Sequence, residues 1–275
     1  MLNHIETLIK LALEEDIDSG DITSNSTIDS GSTSTAQILS KADLVISGIE
    51  IAKLVFRTID RSISFTAHKK DGDRCTRGEL IASLEGNTRS LLSGERIALN
   101  FLQHLSGIAT LTNSFTNAVT GTSIQILDTR KTIPGYRMLE KAAVKDGGGT
   151  NHRLGLYDHF LIKNNHITAA GSISKSLELA HKSRKAEQKI EIETRTLDEV
   201  REALKGNPDI IMLDNMKPED VKKAISIISG KAKTEVSGNI TLERIDDYKN
   251  TEIDYISVGT LTHSAKAADI HMLIS

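Results

Sequence analysis

One cysteine, Cys75, occurs in 275 residues. An internal disulfide is therefore excluded, and a reducing compartment, the cytoplasm, is the expected location. A basic excess is also lacking: 34 Lys and Arg stand against 37 Asp and Glu, a formal charge of -3, so the electrostatic signature of a nucleic-acid-binding protein is missing. No apolar run approaches the roughly 20 residues of a membrane helix. Residues 1–16 carry Glu6, Lys10, Glu14, Glu15 and Asp16, which is wrong for a secretory h-region or an acid-poor transit peptide. Neither nucleic acid nor membrane is an expected partner, and the length suits two domains or a barrel with an added domain.

Ile5, Leu8, Ile9, Ala12 and Leu13 repeat at helical spacing and predict an opening amphipathic helix ending near Asp16. From Ala36 to Leu84 short β-like pieces such as 63–67 and 80–84 alternate with Gly48, Gly72, Gly78 and Gly86, which reads as a small α+β domain. The stretch Asp71–Gly86 has a faint likeness to a biotinyl carrier hairpin, but its turn is Arg77-Gly78 where a carrier needs a modifiable lysine. Cys75 reads as a packing residue. Ile97, Ala98, Phe101, Leu102 and Leu105 then form one helical stripe, which leaves Arg96, Asn100 and Gln103 on the polar face.

After Ser123, six short apolar runs each end on a polar residue or glycine. They are 124–127 before Asp128, Thr129 and Arg130; 160–162 before Lys163; 190–192 before Glu193; 210–213 before Asp214; 234–236 before Ser237 and Gly238; and 255–258 before Gly259. Spacings near 20 residues leave room for a helix and two loops in a repeating βα unit. Parallel strands closed into a barrel bring such C-terminal ends to one face, where an active site is built. Four charged residues in that register, Arg130, Lys163, Glu193 and Asp214, predict a site rather than chance.

Between Asp128 and His166 lie seven Lys and Arg against four acids, a local +3 within an acidic chain. Such concentration suits a small polyanion better than an extended one. Lys141 and Lys145 within it read as solvated helix charges. Gly147, Gly148 and Gly149 lead into Asn151, His152 and Arg153, so a flexible turn delivers an imidazole and a guanidinium, whose fork matches a carboxylate. The spacing is not that of a dinucleotide-binding fingerprint. Glu193 and Asp214 read either as helix caps or as ligands for magnesium and ribose hydroxyls. Ser237-Gly238 and Gly259 read either as tight turns or as backbone N–H donors at helix N-termini. His263 reads as a helix cap.

The segments ILDTRKTIPGYR (126–137), AVKDGGGTNHRLGLYDHFLIKNNH (143–166), IMLDNM (211–216), EVSGN (235–239) and ISVGTLTHS (256–264) together resemble quinolinate phosphoribosyltransferases, the decarboxylating nicotinate-nucleotide pyrophosphorylases. EDIDSGDITS (15–24) and SGERIALNFLQHLSGIAT (93–110) resemble the N-terminal signatures of the same family, so the likeness spans nearly the whole chain. It implies an N-terminal α/β sandwich, residues 1–105, and an open, about seven-stranded α/β barrel of TIM-like type, residues 106–275, the last residues returning to the first domain. It also implies a pentosyltransferase that joins quinolinate to phosphoribosyl pyrophosphate on the way to NAD, without an organic cofactor.

By the same resemblance Arg130, His152, Arg153 and Lys163 hold the quinolinate carboxylates, with Arg96 reaching in from the other subunit of a homodimer. Lys131, Glu193 and Asp214 carry the catalytic work on phosphoribosyl pyrophosphate and its Mg2+, with Glu193 and Asp214 as direct or indirect metal ligands. Ser237, Gly238 and Gly259 hold the 5'-phosphate. The sequence departs from the family wording at Asn164 (NNH for DNH), Asn239 (SGN for SGG), Ile133 and Tyr136, none of which removes a charged ligand. A molybdenum-transport-associated relative with another acceptor base, and a Schiff-base aldolase built on Lys163, are the alternatives.

Overall fold

The computed structural model describes residues 2–275, and the backbone divides into two compact units. The first takes the chain up to Asn113 together with Ile133–Gly148 and Ala265–Ser275; the second takes Ser114–Thr132 and Gly149–Ser264.

In the first unit α1 (Leu2–Ile17) and α2 (Ile22–Thr27) precede β1 (Thr33–Ser40), β2 (Leu44–Val45), α3 (Ile49–Ile59), β3 (Ser64–Ala67), β4 (Arg74–Cys75) and β5 (Leu80–Asn87). β1 pairs antiparallel with β5 on one side and with the C-terminal strand Ile270–Ile274 on the other, and β3 pairs with β5. β2 and β4 form a separate pair in which the buried Cys75 faces Leu44. The expectation of β-like pieces here overlooks α3, whose Ile, Val and Thr favour strands. Burial decides otherwise, because Ile49, Ala52, Val55 and Phe56 line one helical stripe and Glu50 and Arg57 sit at the ends where the helix dipole favours them.

The long α4 (Thr88–Ala118) buries Ile97, Ala98, Phe101, Leu102 and Leu105 and leaves Arg96 exposed. A Cβ on Gly107 would collide with the backbone carbonyl of Lys266, so this glycine lets the C-terminal segment lie against the helix. On α5 (Arg137–Asp146) Lys145 is exposed, as expected, but Lys141 is 2% exposed and is not a solvated charge. It follows Glu140 on the buried face, where the Glu140 carboxylate meets His104 Nε2 at 2.9 Å.

The second unit is a parallel sheet of β6 (Gln125–Leu127), β7 (Phe160–Ile162), β8 (Ile190–Thr194), β9 (Ile210–Asp214), β10 (Lys233–Ser237) and β11 (Tyr255–Ser257). The order is β6-β11-β10-β9-β8-β7. These are the six apolar runs of the sequence. The sheet curls into an open barrel of TIM-like type, and its edges are the consecutive strands β6 and β7. Beside β6, Thr150 makes an isolated parallel bridge with Leu127.

All five residues of β8 and four of the five of β9 are buried, as expected where helices cover one face and a packed interior the other. α6 (Asn164–Ala170), α7 (Ile173–Ser183), α8 (Leu197–Lys205) and α9 (Pro218–Ile228) alternate with the strands. α8 starts on a Thr196/Glu199 capping box and α9 on Pro218 with Glu219 and Asp220 in its first turn. A short 3-10 turn (Leu242–Asp247) and α10 (Thr260–His263) complete the unit. Among the described residues no helix is long and apolar enough to cross a membrane.

Candidate active site

Strand alternation decides which side chains enter the barrel. In β8, Ile190 and Ile192 alternate with Glu191 and Glu193; in β10, Thr234 and Val236 alternate with Glu235 and Ser237. At the C-terminal ends the second set opens onto a cavity of about 270 Å3. Arg130, Lys131, His152, Arg153, Lys163, Glu193, Asp214, Ser237 and Gly238 all line it, together with Met212, Asn215, Glu235, Asn239 and Ser257. A larger and more open groove of about 470 Å3, bounded by Leu156, Tyr157 and Leu179, is mainly apolar and has no comparable convergence of charge.

The cationic wall is built on the turn that follows Gly149. Asp128, fully buried, accepts the His152 N–H at 2.8 Å, and the Arg153 N–H donates to His152 Nδ1 at 2.7 Å. Arg153 is itself buried and donates from Nη1 to the His159 carbonyl at 3.1 Å, while its Nε has no partner. Burial first, and the neighbouring Arg130 charge second, lower its guanidinium pKa. Lys163 follows β7 directly as the residue before α6, where its N–H donates to His166 Nδ1 at 2.9 Å. Lys131 is fixed through its carbonyl, which accepts from Thr262 Oγ1 at 2.7 Å.

Across the mouth, Glu193 and Asp214 cap no helix, since Thr196 and Lys217 hold those positions. Their carboxylates converge on Arg195, whose guanidinium lies 3.0 Å from Glu193 Oε1 and 3.3 Å from Asp214 Oδ2. Two oxygen-donor groups spanned by one half-exposed cation form a place where a hard divalent cation could substitute for the guanidinium.

Ser237-Gly238 is not at a helix N-terminus. The chain turns there through positive φ at Gly238 (101°) and Asn239 (52°), and Asn239 Nδ2 donates to Asn215 Oδ1 at 3.0 Å. Asparagine takes this conformation more readily than most residues, so SGN keeps the turn. Gly259 precedes α10 and does not line the cavity; a Cβ there would press on the Lys131 stem and His263. Arg96 belongs to the first unit and is not among the lining residues.

Two side chains that the sequence reading overlooks complete the interior. Glu191 Oε2 stands 3.0 Å and Glu235 Oε2 3.6 Å from His152 Nε2. Burial drives both carboxyls upward, Glu191 to about 7 against the opposing charge of Arg153, and Glu235 to about 8 with Glu191 adding to the shift. The three could in principle hold a metal ion, since their donor atoms lie within 4.8 Å of one another. The separation of 3.0 Å, however, is that of a direct hydrogen bond. The signal that could have found them is alternation itself: Glu191 lies two residues before Glu193, and Glu235 two before Ser237.

The model of the quinolinate phosphoribosyl transferase C-terminal domain matches residues 108–273, and that of the N-terminal domain matches residues 21–106. The chain is 44% identical over 273 residues to a Bacillus subtilis protein named "Probable nicotinate-nucleotide pyrophosphorylase (carboxylating)", covering 98% of this chain and 94% of that one. It is 41% identical over 289 residues to the Nicotiana tabacum "Quinolinate phosphoribosyltransferase (decarboxylating) 2b, mitochondrial", covering 98% and 82%. The crystal structure of NadC from Streptococcus pyogenes superposes with a TM-score of 0.96 at 40% identity, covering 100% of this chain and 98% of that one.

Proposed function

The chain belongs to the quinolinate phosphoribosyltransferase family, and from that membership we propose a division of labour among its residues for the reaction. The enzyme transfers phosphoribosyl from 5-phosphoribosyl 1-pyrophosphate to the ring nitrogen of quinolinate, releasing pyrophosphate and CO2 and giving nicotinate mononucleotide for NAD synthesis. The observation that carries the assignment is the sorting of charge around one cavity: Arg130, Arg153 and Lys163 on one arc, Glu193 and Asp214 on another, and the Ser237-Gly238 turn next to them.

Arg130, His152, Arg153 and Lys163 form the quinolinate subsite. Guanidinium forks match the two carboxylates and fix the ring nitrogen toward C1 of the ribose. Departure of pyrophosphate leaves an oxocarbenium-like ribose, and the carboxylates of Glu193 and Asp214 stabilise that positive charge while Lys131 answers the negative charge of the leaving group. Once the ring nitrogen is alkylated, the electrons of the C2–carboxylate bond pass to a cationic ring, CO2 leaves and C2 takes up a proton. Ser237 and Gly238 hold the 5'-phosphate from the cavity wall, and Gly259, outside that lining, supports the phosphate end by leaving room for the Lys131 stem.

Glu193 and Asp214 would hold Mg2+ accompanying the pyrophosphate, directly or through water, and the ion would supply charge neutralisation there. Arg195, which bridges the two carboxylates in this structure, would have to yield that place to the ion. Arg96 completes the quinolinate subsite from the other subunit of a homodimer. No observation favours the molybdenum-associated acceptor or an aldolase.

Purified protein is mixed with phosphoribosyl pyrophosphate, Mg2+ and either quinolinate or nicotinate, and nicotinate mononucleotide is assayed. Product from quinolinate alone is expected. Product from nicotinate at a similar rate would contradict a site built for two carboxylates.

A further inference from the structure

The proposed quinolinate subsite needs His152 and Arg153 at fixed positions, and their hydrogen bonds show what fixes them. Because His152 Nδ1 accepts the Arg153 N–H at 2.7 Å, the ring proton belongs on Nε2. That nitrogen is 3.0 Å from Glu191 Oε2, a direct bond, and 3.6 Å from Glu235 Oε2, a purely electrostatic contact. Glu191 and Glu235 enter from β8 and β10 and are 3% and 0% exposed.

Glu191 Oε1 and both oxygens of Glu235 make no hydrogen bond of good geometry, although Glu235 faces Glu191 and the Ser257 hydroxyl. Buried carboxyl oxygens so placed cost stability, and an apolar pair in the same space would be at least as stable. Such a departure from local consistency marks a functional position.

Packing alone does not restrain the ring. A second cavity of about 220 Å3, lined by Gln125, Lys189 and Tyr255 at the opposite ends of the strands, also reaches His152, Glu191 and Glu235. The imidazole therefore stands between two open spaces, and its orientation has to come from polar contacts.

We propose that Glu191 and Glu235 are positioning residues for the transfer reaction: they capture His152 Nε2 from within the barrel, fixing the ring and, through Nδ1, the backbone that aims Arg153 at quinolinate. This deepens the functional reading above and rests on it. A ring that accepts at Nδ1 and donates at Nε2 has no N–H left for a substrate carboxylate. His152 thus serves quinolinate by orientation, and Arg130, Arg153 and Lys163 make the direct charge contacts.

The test is steady-state kinetics on the full chain, with KM measured separately for each substrate. Glu191→Ala raises KM for quinolinate by about tenfold or more, the equivalent of one buried hydrogen bond, and Glu235→Ala, which removes only the longer electrostatic contact, by about fivefold, while KM for phosphoribosyl pyrophosphate stays within about twofold. Gln at either position keeps an amide oxygen facing Nε2–H and holds KM for quinolinate within about threefold of wild type. Equal increases for both substrates, or Gln variants as impaired as Ala, would overturn the proposal.

Nitrogen NMR of the wild-type His152 ring provides a readout independent of whether any variant folds. The Nε2–H tautomer is expected both before and after saturation with quinolinate. Another tautomer in the free enzyme, or transfer of the Nε2–H contact to bound quinolinate, would overturn the proposal. If the wild type makes no product from quinolinate, the functional reading fails instead, and the free-enzyme tautomer still tests the geometry.

Discussion

Arg130 and Glu235 represent two opposed demands on this barrel, the cationic recognition proposed for its mouth and the buried acid beneath it. Arg130 lines the mouth three residues beyond the end of β6. Removing a carboxylate-binding fork costs about 3 kcal/mol, roughly a hundredfold in affinity. Arg130→Ala should therefore weaken quinolinate binding by about that factor in calorimetric titration and leave phosphoribosyl pyrophosphate within about threefold; equal loss of both would contradict the division of the site. Glu235 has its pKa raised from an ordinary 4.5 to about 8 by burial and then by Glu191. Between those values the folded state keeps a proton that the unfolded state releases, so this group makes stability fall as pH rises from about 4.5 to 8. Urea unfolding should show Glu235→Gln gaining on the wild type by a few kcal/mol, in order of magnitude, between pH 5 and 8. A constant difference across that range would contradict the buried-acid account.

At the level of elements, the contact between α4 and the C-terminal segment depends on Gly107, because the atom a Cβ would strike is the Lys266 backbone carbonyl and not a movable side chain. Gly107→Ala should displace the segment leading into Ile270–Ile274, which pairs with β1, and lower stability by about 1–3 kcal/mol, measured as a fall in Tm. No change in Tm would show that the segment can shift without cost. The barrel strands were legible in the sequence because each buried run ends abruptly at a charge or glycine, a pattern imposed by burial on both faces. α3 was not, since its β-branched residues favour strands and only the tertiary burial of Ile49, Ala52, Val55 and Phe56 selects a helix. The mouth residues were legible because they follow the strand ends. Glu191 and Glu235 lie within β8 and β10, where a reading of strand ends does not look, and their significance comes from the distance to His152, which no local pattern encodes. Sequence leaves Ser237-Gly238 open between a tight turn and a helix N-terminus, and positive φ at Gly238 and Asn239 makes it a turn.

For the whole molecule, the proposal that Arg96 acts across a homodimer has a consequence no monomer can show. Arg96→Ala and Arg130→Ala chains, each nearly inactive alone at quinolinate well below the variants' KM, should regain about a quarter of wild-type activity after subunit exchange. Half the dimers are then mixed, and each mixed dimer restores one of its two symmetric sites. No recovery, with mixed dimers demonstrated, would place Arg96 outside the site. The central claim is that one cavity couples glycosyl transfer to loss of the C2 carboxylate. It is tested most directly by following labelled CO2 from quinolinate carrying its label in that carboxylate. Release that requires phosphoribosyl pyrophosphate and matches pyrophosphate one for one is the predicted result; release without phosphoribosyl pyrophosphate, or pyrophosphate formed with the label retained, would contradict the account.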